Sequence, residues 1–221
     1  AQNAPGSHEG HVHSKKGTRQ GDRMAGILIA SPHADDETLG CGGMILKLAK
    51  ETHWMLCTKE DKPLDAVKQY YNFTSMENLL LPDGQFDQCN YGDIVKAVSM
   101  LLEKINPEMM LIPYMHDIHT DHKIIASACL AAAKPFRNGI KRIWAYEVIS
   151  QTNLSHIPFC PNMFVDISEQ IQGKLKAVEL YGQEMIPGAR SSREVEALAV
   201  YRGTFIGAQY AEAFMVIRDR N

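Results

Sequence analysis

Short apolar runs alternate with amphipathic stretches through most of the chain. Apolar runs bounded by polar or glycine-containing sequence are typical of β-strands, and longer stretches with apolar residues every three or four positions are typical of α-helices. Strands that alternate with helices predict an α/β fold, with a doubly wound, mostly parallel sheet and helices on both faces. The strands are predicted at 26–30, 52–58, 77–81, 109–113, 142–148, 162–166 and 213–217, the helices at 42–50, 91–105, 121–133, 168–181 and 193–206, and a shorter helix around 66–71 in the polar loop 59–74.

The stretch 91–105 is the clearest of these helices. Ile94 and Val98 are four residues apart and therefore share one helical face. Asn90 precedes the first turn, where its side chain can cap free backbone N–H groups, and Pro107 follows the end, where it prevents the helix from continuing.

The first residues differ from the rest of the chain. Residues 1–23 are rich in Gly, Ser, His, Lys and Arg and have few apolar side chains, so they cannot bury enough surface to offset the entropy of ordering. We therefore expect a flexible tail or an expression remnant at 1–23, followed by a single domain at 24–221.

Composition narrows the class of protein. Hydrophobic residues make up 45% and charged residues 22% of the 221 residues, as in ordinary globular domains. A net charge of -3 gives no electrostatic attraction to nucleic acid or to an anionic membrane, and no apolar run approaches the ~20 residues of a membrane span. Five scattered cysteines without a CxxC pair indicate reduced thiols, and therefore a cytoplasmic protein.

Chemistry enters at the pentapeptide 33–37, His-Ala-Asp-Asp-Glu, which follows the strand at 26–30. His33 and Asp36 are three residues apart in a loop that leaves a strand, so both side chains can reach one divalent ion. Asp35 lies between them and can face a water molecule instead. Acidic residues at the start of a helix also serve as caps, and this pentapeptide alone does not separate the two roles.

A second polar group, His-Thr-Asp-His at 119–122, follows the strand at 109–113. We expect His122 to supply the third ligand from the adjacent strand end. His119 is expected to face the substrate carbonyl group that a metal-bound water molecule would attack. Asp121 can accept a hydrogen bond from an imidazole, which fixes its tautomer or keeps it protonated. Two histidines at a helix start are common in proteins, but the carboxyl ends of parallel strands meet at one edge of a sheet. The two groups together therefore predict a metal centre.

The sequence around both groups resembles the LmbE-like N-deacetylases of the PIG-L superfamily. Residues 30–43 read like the family's A-H-P-D-D-E motif with its glycine-rich helix start, and residues 117–122 read like its H-x-D-H motif. The resemblance covers nearly everything from Met24 onward. Supporting similarities lie at 81–84, 146–153, 164–168 and 202–214.

The resemblance implies a Rossmann-like fold and a zinc-dependent enzyme that removes the N-acetyl group from an N-acetylated amino sugar or its conjugate. Asp35 would be the general base that later returns a proton to the amine. His119 would be an imidazolium that stabilises the oxyanion, and Asp121 would orient it. One Zn²⁺ per chain, or another divalent metal, would be held by His33, Asp36 and His122.

Two positions depart from the family's pattern. Ala34 stands where the family usually has proline, which removes no functional group. The family often carries an Arg-x-x-Glu after the second strand, but this chain has no arginine between Met24 and Arg137. Substrate contacts from that loop therefore cannot be transferred to this chain.

Other residues have both structural and functional interpretations. Asp83 in a Pro-Asp-Gly sequence either forms a turn or binds sugar hydroxyls, and the turn is the simpler interpretation. Arg202 and Glu212 are expected in a buried structural ion pair rather than on the substrate. Glu147 at a strand end is expected either to line the pocket or to be structural.

Competing functions also remain at this point. A metal phosphoesterase would use two metals and more carboxylates, and a carbohydrate-binding homologue would keep the site without activity. Gly40, Gly42 and Gly43 do not have the G-x-G-x-x-G spacing of a nicotinamide site. The expected partner is a small acetylated amino sugar, and the oligomeric state, including a homo-oligomer, is left open.

Overall fold

The structure is a computed structural model that describes residues 26–48, 51–59, 64–136, 140–182 and 185–220. The predicted tail at 1–23, the end of the helix predicted at 42–50 and part of the loop 59–74 lie outside these residues. The described residues form seven strands, six α-helices and two short 3₁₀ turns at Phe86–Gln88 and Thr152–Leu154. The strands and α-helices follow in the order β1 (Ile27–Ser31), α1 (Asp36–Leu48), β2 (Thr52–Thr58), α2 (Asp65–Tyr71), β3 (Ser75–Leu81), α3 (Tyr91–Ile105), β4 (Met109–Pro113), α4 (Thr120–Ala132), β5 (Arg142–Tyr146), β6 (Met163–Asp166), α5 (Ile171–Glu179), α6 (Ser192–Gly203) and β7 (Ala211–Asp219).

The strands form one sheet in the order β3-β2-β1-β4-β5-β7-β6. The first five strands are parallel, and β7 runs antiparallel between β5 and β6. The predicted α/β fold with a mostly parallel sheet is therefore confirmed. The chain order reverses between β1 and β4, and in such sheets a crevice opens at the carboxyl ends of the strands on either side of the reversal.

Each parallel strand of the sheet centre contributes to two hydrophobic cores, because successive side chains point to opposite faces. In β1, Leu28 and Ala30 pack into the core beneath α3 and α4. Ile27 and Ile29 pack on the other face, beneath α1, α2, α5 and α6. Helices thus cover both faces, as predicted, and strands buried on both sides read as continuous apolar runs in the sequence.

Helix α1 begins six residues earlier than predicted. The sequence places its start at Gly42, whereas the structure begins it at Asp36, so that the glycines lie inside the helix. They are there because neighbours approach closely: a Cβ at Gly40 would lie 2.2 Å from the ring of Tyr146, and one at Gly43 would lie 2.8 Å from Ile167. Close packing, rather than a helix start, explains the glycine-rich segment.

The remaining elements agree closely with the sequence pattern. Helix α3 has the predicted bounds, and the side chain of Asn90 caps it by accepting a hydrogen bond from the backbone N–H of Asp93 at 3.2 Å. Within the described residues, no helix combines the length and apolarity that crossing a membrane requires.

Candidate metal centre

Three of the predicted site residues come from the ends of β1 and β4, which lie side by side in the sheet. His33 lies in the short loop after β1, and Asp36 is the first residue of α1. His122 lies in the first turn of α4, which follows β4. The reversal of chain order between these two strands therefore brings together side chains that are far apart in the sequence.

The donor atoms of these three side chains form a compact triangle. Asp36 Oδ2 lies 3.5 Å from His33 Nδ1 and 3.3 Å from His122 Nε2, and the two ring nitrogens are 3.3 Å apart. A tetrahedral ion with metal–ligand bonds of about 2.0–2.1 Å holds its ligand atoms about 3.3 Å apart. The triangle therefore fits three ligands of a tetrahedral divalent ion. Two imidazoles and a carboxylate suit zinc and several other first-row metals.

The second nitrogen of the buried His122 ring faces another carboxylate. His122 Nδ1 lies 3.3 Å from Asp117 Oδ2. Asp117 is itself held in place, because its carboxylate accepts hydrogen bonds from the backbone N–H of His119 at 3.0 Å and from Thr152 Oγ1 at 2.7 Å. Burial lowers the pKa of His122, but Asp36 and Asp117 outweigh that effect and raise it to about 10. The two carboxylates on either side of this ring therefore favour positive charge in this part of the site, which suits the binding of a cation.

The ring of His33 is oriented in the same way by Asp121. His33 Nε2 lies 3.2 Å from Asp121 Oδ2, and the buried Asp121 carboxylate also accepts hydrogen bonds from the backbone N–H groups of Gly84 and Phe86 at 2.8 and 3.1 Å. Asp83 Oδ1 is 3.1 Å from the same nitrogen. Each of the two histidines thus presents one nitrogen to the candidate ion and the other to a carboxylate, an arrangement that fixes the ring and its tautomer.

His33, His119 and Asp121 form a second group with donor atoms within 4.8 Å of one another. This group shares His33 with the first, and Asp121 already accepts hydrogen bonds there. One ion at the first group, with Asp121 orienting His33, accounts for both groups.

Asp35 lies beside the triangle but does not belong to it. Its side chain is buried, and its Oδ2 lies 3.6 Å from Nη1 of Arg190. Burial and the neighbouring Asp36 raise the pKa of Asp35 to about 8, and Arg190 acts in the opposite direction. A carboxyl group with a pKa near neutrality suits proton transfer in both directions.

His119 is the N-cap of α4, and this role fixes its protonation state. Its Nδ1 accepts a hydrogen bond from the backbone N–H of Asp121 at 3.2 Å. A ring nitrogen that accepts carries no proton, so the ring is neutral and its Nε2–H is the free donor. Burial first, and then His122 and His33, lower the pKa of His119. The geometry therefore favours a neutral donor over the imidazolium that the resemblance implies. The side chain expected to orient His119, Asp121, is hydrogen-bonded to His33 instead.

The candidate metal centre opens into a cleft with about 600 Å³ of empty space. Asp35 and His119 border it, so the three candidate ligands, the candidate base and the candidate donor share one solvent-accessible site. The remaining residues that line the cleft are Ala34, Asp83, Gln151 and Arg190.

Sequence reasoning missed three of the residues around this site. Asp117 lies within the second motif, and its spacing to His119 and His122 is the signal that could have identified it. Gln151 and Arg190 have no comparable signal, because the loops after β5 and before α6 bring them to the cleft only in the folded chain. Arg190 provides the cleft with the arginine that the loop after β2 lacks.

Comparison with known families agrees with this geometry. Residues 28–133, which include all the predicted ligands, match the family model described as GlcNAc-PI de-N-acetylase, PIG-L. Residues 28–133 are therefore similar to the PIG-L, or LmbE-like, superfamily. The resemblance inferred from the two motifs is thereby confirmed.

Solved structures share the fold of this chain along most of their lengths. The conserved protein TT1542 from Thermus thermophilus is 23% identical, with a TM-score of 0.73, and the match covers 88% of this chain and 96% of that one. The N,N'-diacetylchitobiose deacetylase from Pyrococcus horikoshii is 20% identical, with a TM-score of 0.70 and coverage of 88% and 84%. GalB, the 4-carboxy-2-hydroxymuconate hydratase from Pseudomonas putida KT2440, is 18% identical, with a TM-score of 0.68 and coverage of 90% and 98%.

Proposed function

We propose that this protein is a metal-dependent N-deacetylase that uses zinc to hydrolyse the acetamide of an N-acetylated amino sugar or its conjugate. The observation that carries the proposal is the triangle of His33 Nδ1, Asp36 Oδ2 and His122 Nε2, with sides of 3.3–3.5 Å, next to a buried carboxyl group that is not part of it. Such a site combines an ion-binding position with a separate acid–base group.

The ligand set defines what a bound ion contributes. When bound by His33, Asp36 and His122, a divalent cation acts as a Lewis acid toward a water molecule and toward the amide carbonyl. The carboxylates of Asp117 and Asp121 hold the two ligand rings in the orientation that this binding requires.

Acid–base chemistry is assigned to Asp35. In the first step it accepts a proton from the attacking water as the carbon–oxygen bond forms at the amide carbonyl. In the second step the carbon–nitrogen bond breaks, and Asp35 returns that proton to the departing nitrogen. The products are acetate and a free amine. Arg190, at 3.6 Å, holds the Asp35 carboxylate at the wall of the cleft.

His119 is assigned to the oxyanion that forms in the first step. Because its Nδ1 is occupied by the helix cap, its Nε2–H is the atom that can donate to developing negative charge. A preorganised donor of this kind contributes about 2.7–4 kcal/mol to transition-state stabilisation in other hydrolases.

The character of the cleft supports a polar substrate. Eight of the nine described residues that line it have polar or ionisable side chains, the exception being Ala34. A sugar, with many hydroxyl groups, suits such walls better than an acyl chain does. The names of the matching family and of the P. horikoshii relative both describe deacetylation of acetylated amino-sugar compounds, which agrees with this choice.

Reconstitution with metals tests the proposal directly. Protein freed of metal with a chelator is loaded separately with Zn²⁺, Co²⁺, Mn²⁺ or Mg²⁺ and incubated with N-acetylglucosamine, UDP-N-acetylglucosamine and N-acetylglucosaminides. Mass spectrometry detects loss of the acetyl group, and a coupled assay measures acetate. We expect metal-dependent deacetylation that is absent from the chelated protein. Binding of metal without deacetylation of any compound would favour the carbohydrate-binding alternative, and release of phosphate from sugar phosphates would favour the phosphoesterase.

A further inference from the structure

Helix α1, which carries the ligand Asp36, is bent at Cys41. The backbone there has φ -145° and ψ 19°, outside the helical region, so the helix consists of two segments, 36–40 and 42–48. In an uninterrupted helix the N–H of Gly43 would donate to the carbonyl of Leu39. The bend leaves these backbone groups in need of other partners, because buried polar groups that remain unpaired are costly.

Two charged side chains from distant parts of the fold supply those partners. Glu212, in β7, accepts hydrogen bonds from the N–H groups of Gly43 and Met44, both at 2.7 Å. Lys174, in α5, donates to the carbonyl of Leu39 at 2.9 Å and to Glu212 Oε1 at 2.6 Å. The pair thus bonds to the end of the first segment and to the beginning of the second.

The signs of the two charges match the helix ends that they contact. The N-terminus of a helical segment carries partial positive charge and favours a carboxylate, and the C-terminus favours an ammonium group. Glu212 meets the N-terminal N–H groups of 42–48, and Lys174 meets a C-terminal carbonyl of 36–40. Both side chains are almost fully buried, at 3% and 4% exposed, so water screens these interactions little.

We propose that Lys174 and Glu212 are positioning residues of the metal centre. By joining the two segments of α1 at a fixed bend, they set the direction of the segment 36–40 and thereby aim Asp36 at the two ligand histidines. The inference rests on the proposed function only in that Asp36 is a metal ligand. It assigns the pair a role that neither motif of the sequence contains.

The chain offers a matched control in a second buried ion pair. Arg202 donates to Glu147 through Nε at 2.7 Å and through Nη2 at 2.6 Å. This pair joins the end of β5 to α6 and borders the same small cavity as Lys174 and Glu212. Both of these hydrogen bonds run between the side chains of Arg202 and Glu147, and neither involves the backbone of α1. Loss of either pair removes a buried ionic interaction, but only one pair is bonded to the segment that carries Asp36.

The experiment compares Lys174→Met, Glu212→Gln and Arg202→Met in the full chain. For each, the dissociation constant of Zn²⁺ is measured by competition with a chromophoric chelator, and the visible spectrum of the Co²⁺-loaded protein reports ligand geometry. Thermal unfolding of the metal-free protein measures its stability. We expect Lys174→Met and Glu212→Gln to weaken Zn²⁺ binding about 10-fold or more, in the range seen for groups that orient metal ligands, and to shift the Co²⁺ bands. Arg202→Met should lower the unfolding temperature. Its Zn²⁺ affinity and its Co²⁺ spectrum should be the same as those of the wild type.

A purely structural role of Lys174 and Glu212 predicts a different result. In that case all three variants would unfold at a lower temperature than the wild type, and all three would keep its Co²⁺ spectrum. That result would overturn the inference. If Lys174→Met does not fold, Glu212→Gln and Lys174→Arg test the inference instead, by the same measurements of Zn²⁺ affinity and Co²⁺ spectrum. Failure of the proposed function is separate: wild-type protein would bind Zn²⁺ without deacetylating any substrate, while the difference between the two ion pairs would persist.

Discussion

His122 Nδ1 lies 3.3 Å from Asp117 Oδ2, while Nε2 of the same ring is 3.3 Å from Asp36. One buried imidazole thus connects a carboxylate of the metal triangle to a carboxylate behind it. Asp117 is fixed in turn by Thr152 and by the backbone of His119. This chain of contacts determines which nitrogen of His122 is presented to an ion, since the nitrogen that faces Asp117 carries the proton.

Changing Asp117 to Asn should weaken metal binding. The amide either presents its NH₂ group to His122 or accepts from it more weakly than a carboxylate does, so the ring is held less firmly. We expect the dissociation constant of Zn²⁺ to rise about 10- to 100-fold. Chelator competition measures it.

Thr152→Val is the matched control for this change, because it removes a hydrogen bond to the oxygen of Asp117 that faces His122. It should lower stability and have a smaller effect on Zn²⁺ affinity. Equal affinities in the wild type and Asp117→Asn would refute the orienting role of Asp117.

Changing Asp35 to Asn should separate catalysis from metal binding. The amide keeps the size of the side chain but cannot accept the proton of water, and Asp35 is not one of the three ligands. We expect unchanged Zn²⁺ content and turnover lower by roughly 10²–10⁴-fold. Deacetylation is followed by mass spectrometry, and Asp87→Asn, which changes an exposed carboxylate that does not line the cleft, is measured beside it. Turnover near that of the wild type in Asp35→Asn would exclude its role as the base.

The sequence pattern predicted the strands that position this site, β1 and β4, better than it predicted helix α1, which follows β1. Strand β4 has the predicted bounds, and β1 differs by one residue at each end, because a strand buried on both faces gives an uninterrupted apolar run. The predicted start of α1, at Gly42, was wrong. Its glycines are explained by Tyr146 and Ile167, which are more than a hundred residues away in sequence, and no local pattern contains that contact.

The same distinction applies to the residues of the site. His33, Asp36 and His122 were predicted because their types and spacings are those of metal ligands, and the structure places their donor atoms together. Arg202 and Glu212 do lie in buried ion pairs, but with Glu147 and Lys174 rather than with each other. Partners of this kind depend on how distant elements pack, and the spacing of residues along the chain does not encode them.

Changing Arg190 to Met should reduce turnover and leave metal binding intact. The guanidinium lies 3.6 Å from Asp35, so its loss allows the carboxylate to move from the position in which it meets the water. Small misplacements of a reacting group reduce rates by up to about 10²-fold, and we expect a loss of about 10-fold in kcat. The measurement is steady-state deacetylation combined with Zn²⁺ content. Arg193→Met, which removes an exposed arginine close by in the chain, should behave as the wild type. A kcat that falls equally in both variants would mean that net charge, not the contact with Asp35, is responsible.

Changing Gly40 to Ala should destabilise the protein although alanine is the better helix former. The added Cβ would lie 2.2 Å from a ring carbon of Tyr146, whose hydroxyl donates to the backbone carbonyl of Ala30 at 2.7 Å in the buried core. The ring cannot shift without losing that hydrogen bond, so the clash outweighs the gain of about 1 kcal/mol in helix propensity. We expect a net loss of about 1–3 kcal/mol in the free energy of unfolding, measured by urea denaturation.

Gly92→Ala provides the comparison for Gly40→Ala, because it lies in the first turn of α3 and faces only the Asn90 side chain, at 3.1 Å. Alanine there should change stability by no more than about 1 kcal/mol, since the gain in helix propensity is set against any shift of Asn90 Oδ1 away from the N–H of Asp93 that it caps. If both substitutions stabilise the protein, the ring of Tyr146 yields to a methyl group at Gly40. The glycine would then not be required for the close packing of α1 against β5.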